Sequence, residues 1–418
     1  MFDRFAGKFP ASRGAALAAA ILMGCSLAAC APTPPTPPTP QTSTAPSSAS
    51  PASTEAPSQT GQPPTPASSS SAAAAPQDTS CPGDECLEVA VAGDILLHPA
   101  LWEQAEKDGD GKLDFEPILA GIAPYLAQSD LALCNLETPV AAAKGPFSGY
   151  PMFIVPPQII PALKEVGYDG CTTASNHSMD AGVPGIKRTL DALDAAGLVS
   201  TGSYRSKAEA ETPLLTEVGN AKISVIAGTY SLNGVKEVAP WRVDDIDKDS
   251  MIDRAKVARA AGADIVMAAI HDGAEYTNTP TDSQLVLYRA LADSGEFDFI
   301  YSHHTHSVLP IEKRNGTWIV YGLGNSVAKH ATKTVLNKEG LTVKMQFVRT
   351  GDSWAPGELV WAPHIMKPTP LRWCALPAAD DPCTTKGQDA ASLKRTTGTV
   401  NAMNAKDSGA KMWTLADQ

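Results

Sequence analysis

The sequence predicts a layered α/β fold, and three observations support this prediction. Apolar runs of strand length alternate along the chain with segments whose apolar residues recur at helical spacing. Strands that alternate with helices of this length imply a layered α/β fold. From Cys81 the composition is globular for roughly 300 residues, enough for one large domain or two small ones. We assign residues 81–384 to a single domain.

Each predicted element follows from its apolar pattern. Residues 87–97 form an almost continuous apolar run, typical of a buried strand, whereas Ile186, Leu190 and Leu193 recur at helical spacing. The predicted strands are 87–97, 130–137, 168–177, 221–231, 263–273, 297–304 and 317–326. The predicted helices are 115–128, 157–167, 183–197, 251–262 and 281–295.

Both ends of the chain are predicted to lie outside this domain. Residues 1–29 combine a cationic start with a short apolar run, which is typical of a signal peptide. The letters LAAC that end at Cys30 resemble a bacterial lipobox, so Cys30 is expected to carry lipid; an ordinary cleaved signal is the alternative. Residues 30–80 are mostly Pro, Ser, Thr, Ala and Gln and predict a disordered tether, and 385–418 a polar tail. The expected location is extracytoplasmic, on the cell membrane.

The net charge limits the kinds of binding partner, and the number of cysteines indicates disulfides. The formal net charge is −12 without basic clusters, which argues against nucleic acid and mildly against broad binding of any polyanion. Six cysteines remain after Cys25 and Cys30, and an even number in an exported domain suggests disulfides. The most economical of the fifteen possible pairings joins neighbours along the chain. Its pairs are Cys81–Cys86, Cys134–Cys171 and Cys374–Cys383.

Polar side chains collect where the predicted strands end. They are Asp94, Asn135, Glu137, Asn176, His177, His271 and the histidines of 303–306. Each alone has an ordinary explanation as a helix cap, a turn residue or a hydrogen-bonded core histidine. Since ligands of open α/β sheets bind at the carboxyl ends of strands, the set together predicts one site.

The segment SHHTH contributes the most imidazole to this site. In an extended chain His304 and His306 would share one face and His303 would point away. Imidazoles combined with carboxylates and an amide favour Mn, Fe or Zn over Ca or Mg. We therefore predict a centre of one or two divalent transition-metal ions.

These residues also carry a family resemblance over about residues 86–330. Gly93-Asp94, SDLALCNLETP, GYDGCTTASNHSMDAGVPGIKRTLDALDAAGL, HDGAEYTNTP, SHHTHSVLPIE and YGLGN occur in order. With these motifs the chain resembles the CapA family of bacterial capsule (poly-γ-glutamate) synthesis proteins. That family is similar in fold to calcineurin-like metallophosphoesterases. The resemblance implies mixed sheets flanked by helices and a divalent metal centre.

The resemblance also implies a role for each matching residue. Metal ligands would be Asp94, Glu137, Asn176, His271, His304 and His306, with Glu137 bridging two ions. His177 would protonate a leaving group or steady a transition state, and Asp180 would orient it. Asn135, Glu275 and Asn325 are assigned to substrate binding.

Two local patterns depart from simple expectations. Leu96 occupies the place of the histidine in the metallophosphoesterase Asp-x-His motif, so one ion is expected to lack an imidazole. Residues 106–117 resemble a calcium loop, but Pro117 stands where the bidentate Glu belongs. A polar turn before a helix is therefore the favoured interpretation of this segment.

Three functional hypotheses follow. The first is a membrane-anchored protein that acts in the biosynthesis, anchoring or trimming of poly-γ-glutamate or a related anionic envelope polymer, with the capsule synthesis machinery as a partner. The second is a metal-dependent hydrolase of a small phosphoester or of a γ-glutamyl amide. The third is a non-catalytic scaffold with a decayed metal site, which Leu96 would favour.

Overall fold

The computed structural model describes residues 81–236, 238–379 and 381–415. The strands are β1 (Glu85–Ile95), β2 (Leu131–Leu136), β3 (Gly170–Thr172), β4 (Val199–Thr201), β5 (Thr216–Val218), β6 (Ala221–Thr229), β7 (Ile265–His271), β8 (Phe299–His303), β9 (Ile311–Arg314), β10 (Thr317–Val320), β11 (Asn325–Val327), β12 (Glu339–Thr350), β13 (Ser353–Pro368), β14 (Leu371–Ala375) and β15 (Lys411–Met412). The helices are α1 (Pro99–Asp108), α2 (Glu116–Leu119), α3 (Ala123–Leu126), α4 (Ile159–Glu165), α5 (Gly182–Ala195), α6 (Lys207–Glu211), α7 (Lys248–Ala260), α8 (Asp282–Asp293) and α9 (Lys386–Val400).

Two mixed sheets form the framework of the domain. The first has the order β14-β13-β12-β1-β2-β3-β4, with β11 paired to β1 and β15 to β13. The second has the order β5-β6-β7-β8-β10-β9. In the first sheet β1, β2, β3 and β4 run parallel, and β12, β13 and β14 continue it in antiparallel pairing. In the second sheet β6, β7, β8 and β10 run parallel, and β5 and β9 are antiparallel edge strands. The predicted layered α/β fold, with mixed sheets flanked by helices, is confirmed.

The apolar core follows the alternation of side chains along the strands. In β7, Ile265, Met267 and Ala269 belong to the main core cluster, which also includes residues of the first sheet. Their neighbours Val266, Ala268 and Ile270 belong to a second cluster with residues of α7 and α8. A strand buried on both faces therefore shows the continuous apolar run that predicted it.

Two predicted segments are divided in the structure. The predicted helix 115–128 is broken into α2, a 3-10 turn and α3, because Pro124 lacks an amide hydrogen and its ring excludes a continuous helix. The predicted strand 317–326 is split between β10 of the second sheet and β11 of the first. Gly324, at φ +70°, has the left-handed conformation that allows the chain to turn between the two sheets.

The segment from 385, predicted as a polar tail, contains regular structure. Helix α9 begins after Thr385, whose side chain accepts a hydrogen bond from the amide of Gln388. Strand β15 then pairs with β13, and Trp413 donates its amide hydrogen to the carbonyl of Trp361 at 2.8 Å. These residues therefore extend the domain beyond the predicted boundary at 384, at least to residue 415.

The structure contains the predicted disulfides and has a turn in the calcium-like segment. All three predicted disulfides are present, including Cys134–Cys171 across paired positions of β2 and β3. In the calcium-like segment, Asp108 forms two hydrogen bonds with the Arg372 guanidinium, and a turn follows at Gly109–Lys112. The carboxylate of Asp108 is thus paired within the protein, in agreement with a polar turn.

The predictions for the N-terminus concern a different part of the chain. The signal peptide 1–29, lipidation at Cys30 and the tether 30–80 lie outside the described residues. Within the described residues, no helix has the length and apolar character needed to cross a bilayer.

Candidate metal centre

Three adjacent strands bring the first polar side chains of the site together. Asp94 of β1 pairs with Asn325 of β11 on one side and with Asn135 of β2 on the other. Gly93 allows this approach, because a Cβ atom there would lie 2.2 Å from the carbonyl oxygen of Gly324. The sheet topology therefore places the Asp94 carboxylate between the amides of Asn135 and Asn325, near the carboxyl ends of β1 and β2.

Asp94 is completely buried and is contacted from several directions. His303 Nδ1 lies 3.0 Å from its Oδ1, and His306 Nδ1 lies 3.2 Å from its Oδ2. Asn135 Nδ2 donates to Oδ1 at 2.9 Å, and the His304 amide donates to Oδ2 at 3.2 Å. Burial opposes ionisation, but hydrogen bonds and attraction from His303 and His306 hold the pKa of Asp94 well below its usual range.

Glu137 follows β2 and has the opposite character. Its side chain is fully buried, and neither of its carboxylate oxygens has a hydrogen-bond partner among the described residues. The imidazoles of His306 and His271 lie at 3.6 and 3.9 Å from Oε1. Burial raises the pKa of Glu137 to about 7, against the attraction of His306. A buried carboxylate without hydrogen bonds is costly unless a cation compensates it, and a cation is what this cluster would accept.

A second group of candidate ligands comes from β7 and the loop after β3. His271 Nε2 lies 2.8 Å from Asn176 Oδ1, and the His271 and His304 ring centroids are 5.0 Å apart. Burial holds the pKa of His271 well below its usual value and lowers that of His304 to about 3. Both imidazoles are therefore neutral at pH 7, which is the form that binds a metal.

The orientation predicted for the histidine segment is wrong for His303. The strand β8 ends at His303, and the chain then leaves the extended conformation, with φ of 78° at His304 and 48° at His306. Side-chain alternation applies only to extended chain, so His303 is not directed away from the site. All three imidazoles face the carboxylates, and His303 provides an additional imidazole beside Asp94.

His177 and Asp180 form a separate pair at the rim of the cluster. His177 Nδ1 lies 2.7 Å from Asp180 Oδ2, which also accepts a hydrogen bond from the Phe153 amide at 2.7 Å. Burial lowers the pKa of His177, but the hydrogen bond to Asp180 and the attraction of Glu137 and Asp180 together outweigh burial and raise the pKa. With Nδ1 occupied, Nε2 is the nitrogen of His177 that can exchange a proton with a bound molecule.

The three residues predicted to bind substrate differ in accessibility. Asn135 and Asn325 are fully buried. Asn325 Oδ1 accepts from His306 Nδ1 at 2.9 Å, and its Nδ2 donates to the Asn337 carbonyl at 2.9 Å. This geometry supports a positioning role for both amides. Glu275 is exposed, and one of its oxygens lies within 4.8 Å of ring nitrogens of His304 and His306.

Two histidines near the site were not identified from the sequence. The ring centroids of His98 and His330 are 4.5 Å apart, and those of His330 and His306 are also 4.5 Å apart. His330 Nδ1 lies 3.2 Å from the Tyr276 hydroxyl. The only sequence signal for these residues is their position, a few residues beyond Asp94 and Asn325.

Two overlapping groups of side chains in the cluster could hold a cation. Two groups have ligand atoms within 4.8 Å of one another and share His306; they are Asp94, Glu137, His306 and Glu275, His304, His306. Leu96, at the position of the absent motif histidine, is buried in the main apolar core and is not part of these groups. Mixed imidazole and carboxylate side chains are suitable ligands for a divalent metal ion.

Comparison with known proteins identifies relatives in bacterial capsule synthesis. A family model described as bacterial capsule synthesis protein PGA_cap matches residues 88–330. The PGA biosynthesis protein CapA of Bacillus subtilis is 30% identical over 249 residues, which cover 58% of this chain and 64% of that protein. The capsule biosynthesis protein CapA of Bacillus anthracis is 26% identical over 255 residues, with coverages of 58% and 60%. The chain thus spans less than two thirds of the length of these relatives.

The chain is also similar to a solved structure, that of the calcineurin-like phosphoesterase YfkN from Bacillus subtilis. The TM-score is 0.45 at 15% identity, with 75% of this chain and 96% of that chain covered. The family model, by contrast, matches more than half of this chain in sequence. The chain therefore belongs to the PGA_cap family of bacterial capsule synthesis proteins.

Proposed function

We propose that this protein is a membrane-anchored accessory protein of envelope-polymer synthesis that trims an acidic polymer such as poly-γ-glutamate at a divalent transition-metal centre. Membership of the family supports the assignment to polymer synthesis. The observation that supports the metal centre is Glu137, a fully buried carboxylate without a hydrogen bond, surrounded by imidazoles.

The ligands would come from both sheets. Asp94 and Glu137 would neutralise the charge of the ion, and His271, His304 and His306 would supply nitrogen ligands, in the manner of other mixed nitrogen and oxygen sites. When bound, a divalent transition metal supplies a hydroxide at neutral pH and stabilises charge on the attacked centre.

The chain itself would supply the proton that hydrolysis requires. When water cleaves an amide, its oxygen bonds to the carbonyl carbon, the carbon–nitrogen bond breaks, and the leaving nitrogen gains a proton. The hydrogen bond to Asp180 fixes His177 with Nδ1 protonated, and the raised pKa of His177 favours a proton on Nε2 as well. His177 therefore fits the general acid, and Asp180 fits the residue that orients it.

Metal analysis of the full chain, purified without chelator, tests the metal centre. We expect one or two equivalents of Mn, Fe or Zn, which Asp94→Asn should lose. Asp298→Asn is a matched control, because Asp298 is also a largely buried aspartate but lies at the opposite end of β8. Absence of bound metal after incubation with all three ions would overturn the proposed centre.

Hydrolysis assays separate trimming from the two alternatives. Cleavage of a γ-glutamyl oligomer that requires His177 supports trimming, whereas cleavage of phosphoesters alone supports a phosphoesterase. Polymer binding without any hydrolysis by the metal-loaded protein supports the scaffold function, for which Leu96 in the apolar core is the specific observation.

Lipidation of Cys30 is the proposed means of attachment to the membrane. Cys30→Ala should release the protein from the membrane fraction, since an anchor of acyl chains requires that thiol. Retention of the Cys30→Ala protein in washed membranes would contradict the lipid anchor and leave the metal centre unaffected.

A further inference from the structure

A large cavity lies beside the metal centre. Its volume is about 1240 Å³, and His98 and His330 are among its lining residues. His330 also reaches the ligands, because its Nε2 accepts from Asn325 Nδ2 at 3.2 Å and its ring contacts that of His306. One imidazole therefore separates this cavity from the ligand His306.

Cationic side chains line the cavity without acidic ones. Lys329, Lys333 and Lys338 are exposed, and none of them forms a salt bridge with another described residue. Arg395 is a fourth cation, paired with the buried carboxylate of Glu339. No aspartate or glutamate is among the described residues that line the cavity. We name this space the lysine cavity.

The cationic surface continues along α9. A smaller cavity of about 560 Å³ shares Ala391 and Arg395 with the lysine cavity and adds Lys394. It is also lined by Asn278, which belongs to the loop of Glu275. The two cavities thus adjoin along α9 and together present the cations Lys329, Lys333, Lys338, Lys394 and Arg395, enough for several carboxylates of one chain.

The segment 329–338, which contains the three lysines, is connected by hydrogen bonds to the candidate metal centre. Asn325 holds His306 through Oδ1 and donates from Nδ2 to the carbonyl of Asn337. Asn337 in turn donates to the carbonyl of Thr332, within the segment that contains the three lysines. A molecule bound to the lysines would therefore lie next to a fixed site rather than on an independent loop.

We propose that the lysine cavity binds the acidic polymer itself, with lysine side chains contacting successive free carboxylates, and directs the chain to the metal centre. The identity of the polymer rests on the proposed function. The cavity supplies the positive charge that an acidic protein needs for such a partner, because charge complementarity acts locally.

Another large cavity does not share these properties. It measures about 970 Å³ and is lined by residues such as Tyr204, Leu214 and Val225. Its Arg205 is already bound to Asp191, Asp194 and Glu209. It lacks the unpaired cations that an acidic chain would require.

Binding of a fluorescent γ-linked glutamate oligomer to the full chain tests this inference. The variant is Lys329→Glu/Lys333→Glu/Lys338→Glu. The control is Lys112→Glu/Lys222→Glu/Lys406→Glu, which changes the net charge equally at exposed lysines without described salt bridges and outside the cavity. We expect the first variant to weaken binding by about tenfold or more and the control by about twofold at most. Binding of wild-type protein should also weaken as salt is added.

Each outcome has a separate meaning. If wild-type protein binds the oligomer and the two triple variants bind alike, the lysine cavity is not the binding site, although the proposed function stands. If wild-type protein with its full metal content binds neither γ-linked glutamate nor polyaspartate, both the inference and the proposed polymer are overturned. Should the triple variant lose its fold or its metal, Lys333→Glu alone should still weaken binding in the same direction.

Discussion

Replacing Glu137 with glutamine should stabilise the metal-free protein while it removes the capacity to bind metal. Glu137 is buried without a hydrogen bond to either oxygen, so glutamine, which is neutral and of similar shape, breaks no hydrogen bond. The carboxylate remains costly as long as no cation compensates it.

The magnitude follows from the pKa of Glu137 in the folded protein. Burial, opposed by His306 and assisted by Asp94, raises this pKa from 4.5 to about 7. Below pH 4.5 both folded and unfolded chains carry the proton, so titration of Glu137 changes nothing. Between pH 4.5 and 7 the unfolded chain loses its proton first, so the folded protein is progressively destabilised. Above pH 7 the loss in the free energy of unfolding reaches about 3 kcal/mol. The neutral glutamine side chain should recover this stability.

Thermal unfolding of chelator-treated protein at pH 4 and pH 8 measures this effect. At pH 8 we expect Glu137→Gln to raise Tm by about 5 °C, whereas at pH 4 the variant and the wild type should unfold together. Added Mn or Zn should stabilise only the wild type, because ligands stabilise the state that binds them. Glu217→Gln, at an exposed position of β5, serves as the control. A variant that is less stable than wild type at pH 8 would refute the reasoning.

Two further predictions concern the pKa of His177 and the Cys134–Cys171 disulfide. Asp180→Asn should lower the pKa of His177, because the 2.7 Å contact with Asp180 is the largest influence that raises it. NMR titration of the metal-free protein measures this, and an unchanged His177 pKa would contradict the assigned pair. Cys134→Ser/Cys171→Ser should reduce the free energy of unfolding by about 4 kcal/mol, since this disulfide closes a loop of 37 residues. Urea unfolding measures the loss, and equal stability of variant and oxidised wild type would contradict it.

The sequence could predict which polar side chains come together because strand ends are visible in an apolar pattern. His271 ends β7 beside the end of β8, so its position at this end of the sheet follows from parallel pairing. Asp94 and Asn135 were likewise predictable, since both occupy the ends of adjacent strands. For these residues the apolar pattern of the sequence is enough to predict their position, because it shows where each parallel strand ends.

The apolar pattern does not predict the local backbone conformation of the histidine segment. The left-handed conformations of His304 and His306 depend on tertiary contacts, such as the hydrogen bond from His306 to Asn325. The proximity of His98 and His330 to the site could not be predicted for a similar reason. Each histidine follows the end of a strand by several loop residues. Sequence periodicity describes regular elements, so side chains on the intervening turns were misplaced or missed.

Net charge is the property for which sequence and structure lead to different conclusions. A formal charge of −12 suggests that an anionic polymer would be repelled. At physiological ionic strength, however, exposed charges more than about 8 Å apart are largely screened from each other. The charges on the surface that contacts the polymer therefore determine whether it binds. In the lysine cavity that surface contains Lys329, Lys333 and Lys338 and no described carboxylate. The acidic residues elsewhere would keep the polymer from other faces of the protein, which would make the cavity beside the metal centre the favoured place for it to bind.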